Sequence, residues 1–413
     1  MGPGGHALGA ERPAGREPRT VAQDRSRDVG PIGRAGCRVR RRWRPFPVRR
    51  AERRHVVLPR PRPGRSPSSG PIGRNAGPRR TRTGSLGAVP RAGRPRPAPV
   101  REIMEAPMDD VVFEVDGGAA VLRLNRPRAL NALSTEMFEA IAPRLTAWRD
   151  DPSITSLHLH GEGRGFCAGA DVRAMREMML GGGVGPALDF LALEYRTDAL
   201  VAGFGKPVTA HLHGIAMGGG LGLSMHGAHR VAAADLALAM PEVQIGLWPD
   251  VGMTWEFSRL PGQAGAWLAM TGRTIDAPTA LGLGLVDEVE GMAAAPVLDL
   301  GWVDECFVGD DPVEILARLE SSSDERAQEA ARRIRAKSPL SVCVALAAVR
   351  RAAGLAGPVE ALDQDLRIAR GLLPDCDFVE GVRAQLVDKD RDPRFAHARV
   401  EDVDPSRVRA IVG

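Results

Sequence analysis

The sequence predicts an α/β protein with a helical C-terminal section, preceded by a long arm that has no fold of its own. Three observations carry this. From about residue 109 to 291, stretches with a period of two alternate with stretches of helical period. From about 310 to 395, helical patterns follow one another, with Pro339, Pro358 and Pro374 at or between their starts. The first hundred residues show neither period. The expected organisation is a disordered Arg/Pro/Gly-rich extension at 1–103, an α/β core at 104–291 and a helical section at 292–413.

The arm, Met1 to Ile103, holds 26 arginines, no lysine and six acids, a local charge of +20. The whole chain is only +5, so the remainder is −15. So few apolar residues cannot offset the chain entropy lost on ordering. A nucleic-acid-binding arm fits the charge, but only Trp43 and Phe46 interleave aromatics. A transit peptide is Arg-rich and acid-poor, but proline here is dense enough to break an amphipathic helix. The reading adopted is an extension outside the working protein, with Met104 or Met108 as the natural start.

In the core, "VVFEVDGGAAVLRLN" reads as a hairpin turning at Asp116-Gly117-Gly118. "LSTEMFEAIAPRLTAWRDD" is an amphipathic helix capped by Ser134 or Thr135, with Met137, Ile141, Leu145 and Trp148 on its apolar face. Ser156–Gly161 alternates as a strand. A helix from about Asp171 to Met179 follows, then a linker, "LGGGVGP", read as flexible. "PALDFLALEYRTDALVAGF" is a second long helix, "KPVTAHLHG" a strand, and "HRVAAADLALAM" two short strands.

Five widely spaced cysteines without a CxxC pair argue against disulfides and zinc, and fit a reducing compartment. No apolar run approaches the ~18 residues that span a bilayer, and no secretory h-region opens the chain. The expectation is a soluble intracellular protein, cytoplasmic, with the mitochondrial matrix as the alternative.

Two glycine-rich loops each precede a helix: "GFCAGADVRAM", Gly165 to Met175, and "GIAMGGGLGLSMHG", Gly214 to Gly227. Converging N–H groups at such places bind an anionic oxygen, and glycine admits the ligand. Close helix packing explains a glycine run equally well. The second loop lacks a P-loop Lys-Ser/Thr and the GxGxxG spacing.

Together with "NRPRALNAL", "AMPEVQIGLWPDVG", "LEYRTDALVAGFGKPVTAHLHGIAMGGG" and "DFVEGVRAQLVDKDRDP", these loops resemble the crotonase (enoyl-CoA hydratase/isomerase) superfamily, and in particular its 3-hydroxyisobutyryl-CoA hydrolase branch, over Val111 to Phe395. The resemblance implies a crotonase-like (ClpP/crotonase) fold of repeated β-β-α units. It implies an oxyanion hole at Ala170 and Gly219, substrate contacts at Glu194, Gly219, Glu242 and Asp250, and Glu242 with Asp250 as the catalytic pair. The substrate is then an acyl-CoA, with coenzyme A part of it and no separate cofactor or metal. No nucleic-acid or membrane partner is expected, and a homo-oligomer stays open. Hydratases of the superfamily carry a carboxylate where this chain has Gly222; a glutamate restored there is expected to point into the Glu242 pocket.

Read without the resemblance, Glu242 is a first-turn helix acid or a member of a surface ion pair, Asp250 a cap for a helix near Thr254, and Glu194 a solvent-facing acid. Cys167 reads as packing, Trp248 as pocket wall or core, and Arg126 and Arg128 as surface arginines or contacts to coenzyme A phosphates. His211, His213, His226 and His229 do not offer the three or four convergent ligands of a metal site.

A chain beginning at Met104 is expected to keep full activity and thermal stability. A truncated protein that is insoluble or inactive overturns the reading of the arm.

Overall fold

The computed structural model describes residues 110–413, so the expectation for 1–103 lies outside the described residues. Strands β1 (Val111–Asp116) and β2 (Ala119–Leu124) form the hairpin, with Asp116 opposite Ala119. Gly117 and Gly118 turn it at φ +55° and +93°, the left-handed pair that matches strand twist. Helix α1 (Thr135–Asp150) is capped by Ser134, whose Oγ accepts from the Met137 N–H. Its buried face is Met137, Phe138, Ile141, Leu145 and Trp148. Strand β3 (Ser156–Gly161) follows.

Helices α2 (Val172–Gly182) and α3 (Val184–Ala202) correct the linker expectation. Helix runs through Leu180 to Gly182 and resumes at Val184, and only Gly183, at φ +74°, interrupts it. The two helices pack on each other, and that packing outweighs the low helix propensity of the glycines.

Next come β4 (Val208–Leu212), β5 (Ile215–Met217), α4 (Gly219–Met225), β6 (Ala228–Ala232) and β7 (Ala237–Ala239). The core closes with α5 (Met253–Ser258), α6 (Ala264–Thr271), β8 (Ile275–Asp276), α7 (Ala277–Leu283) and β9 (Glu288–Val289). One sheet has the order β1-β2-β3-β4-β6-β9, parallel except for the β1–β2 hairpin; β5, β7 and β8 form a second. Ala120, Leu122, Leu124, Leu157, Leu159, Val208, Ala210 and Leu212 alternate inward from three strands into the core.

The helical section comprises α8 (Gly301–Cys306), α9 (Pro312–Ser321), α10 (Glu325–Arg335), α11 (Pro339–Ala352), α12 (Pro358–Leu372), α13 (Asp377–Val382) and α14 (Pro405–Val412). Pro339 and Pro358 occupy first-turn positions, where a missing N–H costs nothing. Helix α12 packs on α3 and α5, α11 on α5 and α6, and α13 on α2, so this section shares the core of the α/β part. A π-helical stretch, Arg383–Val387, extends α13. Among the described residues no helix is long and apolar enough to cross a membrane.

Asn131 ties the loops beneath the cavity. It is fully buried at φ +57°. Its Nδ2, with two hydrogens to share, lies 2.9–3.0 Å from the carbonyls of Glu162, Gly165 and Phe166, and its Oδ1 accepts from the Arg126 N–H. Asn131→Ala orphans these groups, at about 1–3 kcal/mol for each one left buried without a partner. The expected loss is about 3 kcal/mol in a denaturant titration; an unchanged midpoint refutes the role assigned to Asn131.

Candidate active site

The two glycine-rich loops lie side by side because their backbones are laced together. Phe166 N–H donates to His213 O, Cys167 N–H to Ile215 O, and Met217 N–H to Cys167 O, at 2.9–3.0 Å. This brings Ala170, before α2, next to Gly219, the first residue of α4. Among the described residues neither N–H has a backbone acceptor. A Cβ on Gly219 would stand 3.2 Å from the Ala170 nitrogen, and one on Gly169 would stand 3.3 Å from the Gly219 nitrogen. Two unspent donors thus converge.

They open into a cavity of about 270 Å³ whose wall includes Ala170, Glu194, Gly219, Glu242 and Asp250. All five residues singled out in the sequence therefore meet in one place. Glu194 comes from α3, Glu242 from a 3-10 turn (Glu242–Gln244), and Asp250 from the loop before α5. All three acids are buried, with fractional exposures of 1%, 7% and 7%. The expectation of a solvent-facing Glu194 is thus excluded, since its helix face turns inward.

Glycine is needed at the run because carboxyl and thiol groups crowd it. Gly218 sits at φ +51°, and a Cβ there would touch Glu242 Oε1 at 3.0 Å. A Cβ on Gly219 would overlap the Glu194 carboxyl. A Cβ on Gly220 would come within 2.6 Å of Cys167 Cβ.

At Gly222 a side chain would run into the Asp198 carboxyl and lie 2.8 Å from Val251 Cβ. A glutamate restored at 222 would thus be crowded by Asp198 and Val251 at its Cβ.

Among the described residues no lysine, arginine or histidine lines the cavity. Burial, and then the Asp250 charge, hold the Glu194 and Glu242 carboxyls well above the usual carboxylate range. Burial lifts Asp250 only to about 6, because the Tyr195 hydroxyl donates to its Oδ2 at 2.6 Å. Asp198 is raised by burial and then by Glu194, and neither of its oxygens has a hydrogen-bond partner. Glu194 Oε1 and Glu242 Oε2 are likewise buried and unpartnered.

Tyr195 and Asp198 were not singled out in the sequence. Their signal was available, since the acids Glu194 and Asp198 stand one turn apart among the buried Phe190, Leu191, Tyr195 and Val201. Asp365 was also missed; its carboxylate accepts from Trp248 Nε1 and the Gly252 N–H at 2.9 and 2.8 Å. Asp250 is therefore not the side-chain cap of α5, and Trp248 is core.

Cys167 is a buried thiol pushed up to about 12 by burial. Arg126 is occupied by Asp171 and the Ala132 carbonyl, at 3.1 and 2.9 Å. Gln385 and Leu386, from the π-helical stretch, complete the wall. Arg173 of α2 donates to Leu386 O at 2.6 Å, and Gln244 Nε2 to Gln385 Oε1 at 2.9 Å.

The sequence model of the enoyl-CoA hydratase/isomerase family matches residues 119–298 and 289–412. "Probable 3-hydroxyisobutyryl-CoA hydrolase 3" of Arabidopsis thaliana is 32% identical over 73% of this chain and 91% of that protein. "3-Hydroxyisobutyryl-CoA hydrolase, mitochondrial" of Gallus gallus is 32% identical over 71% of this chain and 86% of that protein. A crystal structure titled a carnitinyl-CoA dehydratase, from Mycobacterium thermoresistibile, superposes with a TM-score of 0.69 at 36% identity, over 74% of this chain and 97% of that one.

The packing at Gly222 is open to test. Gly222→Ala should destabilise the protein by about 1–3 kcal/mol through overpacking, and Asp198→Ala in the same chain should restore most of that loss. Independent, additive losses in the double variant would separate the two positions.

Proposed function

This chain belongs to the enoyl-CoA hydratase/isomerase family, and on that premise we propose that it hydrolyses the thioester of 3-hydroxyisobutyryl-CoA, or of a close short 3-hydroxyacyl-CoA, to the free acid and coenzyme A. In metabolism this is a step of valine breakdown. Coenzyme A arrives as part of the substrate, and the reaction takes no cofactor.

The observation that supports hydrolysis over hydration is the glycine at 222. Addition of water to a C=C needs one group to activate the water and another to protonate the α-carbon, and paired carboxylates supply both. Here Gly222 has no side chain, and Asp198 and Val251 fill the space beside it. Hydrolysis needs less: donors for the oxyanion and one nucleophile or base.

In this reading the thioester oxygen lies between the Ala170 and Gly219 N–H groups. A Glu242 oxygen attacks the carbonyl carbon, and charge moves onto the thioester oxygen, where the two amides stabilise it. The C–S bond breaks, and the thiolate leaves and takes up a proton. Water then adds to the resulting anhydride, releases the acid and restores the Glu242 carboxylate. Asp250, poised by Tyr195, accepts the proton of that water. Loop lacing and buried acids support these roles.

Glu242→Gln keeps shape and removes the nucleophilic charge. Thiol release should fall at least ~100-fold while acyl-CoA still binds. Because Asp250 is lifted to about 6 and Glu242 is also raised, activity should rise with pH from that region upward as both carboxylates form, and Tyr195→Phe should move the Asp250 part of this limb upward. Wild-type protein that hydrates crotonyl-CoA rapidly and frees no thiol from any 3-hydroxyacyl-CoA would replace this reading with a hydratase.

A further inference from the structure

We infer that Glu194 serves as a neutral carboxylic acid whose O–H donates to the thioester oxygen, a third donor beside the amides of Ala170 and Gly219. The inference rests on the thioester reading above and assigns Glu194 a protonation state and a contact within it.

Position comes first. The Glu194 carboxyl lies against Gly219, where a Cβ would overlap it, and that same Cβ would stand 3.2 Å from the Ala170 nitrogen. The carboxyl therefore borders the place where the substrate oxygen is held. Its Oε1 is buried and has no hydrogen-bond partner in the protein. An ionised carboxylate there would face an oxygen that gains negative charge during the reaction, and would oppose it. A protonated one offers a hydrogen bond that strengthens as the charge grows.

The surroundings decide where the proton resides. The groups that face Glu194 are Asp198, one turn along α3, with Glu242 and Asp250 across the cavity; Asp365 of α12 and the neutral Cys167 thiol lie beyond. None is a cation. The nearby arginines of α2 are engaged elsewhere, Arg173 with Leu386 O and Arg176 with Val379 O. Asp250 receives the Tyr195 hydroxyl, which supports its charge. Glu242 requires its charge to attack. Glu242 Oε2 is equally without a donor, so what assigns the proton to Glu194 is its place against Gly219 and the Ala170 nitrogen, together with the attack by a Glu242 carboxylate in the thioester reading. Burial and the Asp250 charge act in the same direction.

The test compares Glu194→Gln with Glu194→Ala in the full chain. Glutamine keeps a neutral donor, so kcat should stay within ~10-fold of wild type; alanine removes the donor, so kcat should fall ~100-fold or more. Wild-type activity should show a declining limb on the high-pH side as Glu194 ionises, and the glutamine variant should lack that limb. Infrared difference spectra of the substrate-free proteins should show a protonated-carboxyl band in wild type that disappears in Glu194→Gln. Thermal melts check that both variants are folded. Folded glutamine and alanine variants with equal losses, or a wild-type spectrum without the band, overturn the proposal. If wild type frees no thiol from any acyl-CoA, the thioester reading fails on its own account, and the infrared band still decides whether Glu194 holds the proton.

Discussion

The lacing of two loop backbones is the constraint on which the site depends. Three hydrogen bonds run between Phe166–Cys167 and His213–Met217. Backbones this close leave little room for side chains between them, so small residues fill both loops. The same closeness leaves the Ala170 and Gly219 N–H groups side by side at two helix starts, with no backbone acceptor among the described residues. Asn131 braces one loop from below through three carbonyls. Fold stability and anion binding thus draw on the same few main-chain contacts.

The second constraint is electrostatic. Glu194, Glu242 and Asp250 share one cavity wall, with Asp198 behind them, and among the described residues no basic side chain lines the space. Groups so placed cannot all ionise, and their protons come off as a coupled set. What differs among them is local hydrogen bonding: Tyr195 favours charge on Asp250, whereas Asp198 has no donor at all. Every buried carboxyl raised in this way favours the folded state most at pH below its ordinary value, and that advantage is lost as pH climbs toward its raised one. For Asp250 the window runs from 3.8 to about 6.

Much of this was legible in the sequence. The hairpin at Gly117-Gly118, the Ser134 cap and the apolar face of α1 follow from local chemistry, and the structure bears them out. The five site residues came from a resemblance spread over several motifs, and they do share one cavity. What could not be read depended on contacts distant in the chain. The glycines at 181 and 182 are helical because α2 packs on α3. Asp198 fills the room above Gly222 from a different helix, and no spacing within either motif reveals that. Gln385 and Leu386 reach the cavity from a late stretch that carried a helical pattern and part of the family resemblance, neither of which places it at the site.

That last contribution bears on how the chain is made. A ribosome delivers the loops, Glu194, Glu242 and Asp250 long before Gln385 and Leu386 emerge. Until then that part of the wall is absent. The C-terminal stretch, fastened by Arg173 and Gln244, then closes it. The chamber is therefore walled on all its sides only once the chain has been made through residue 386, and a chain stalled earlier holds the acids and loops without that closing segment.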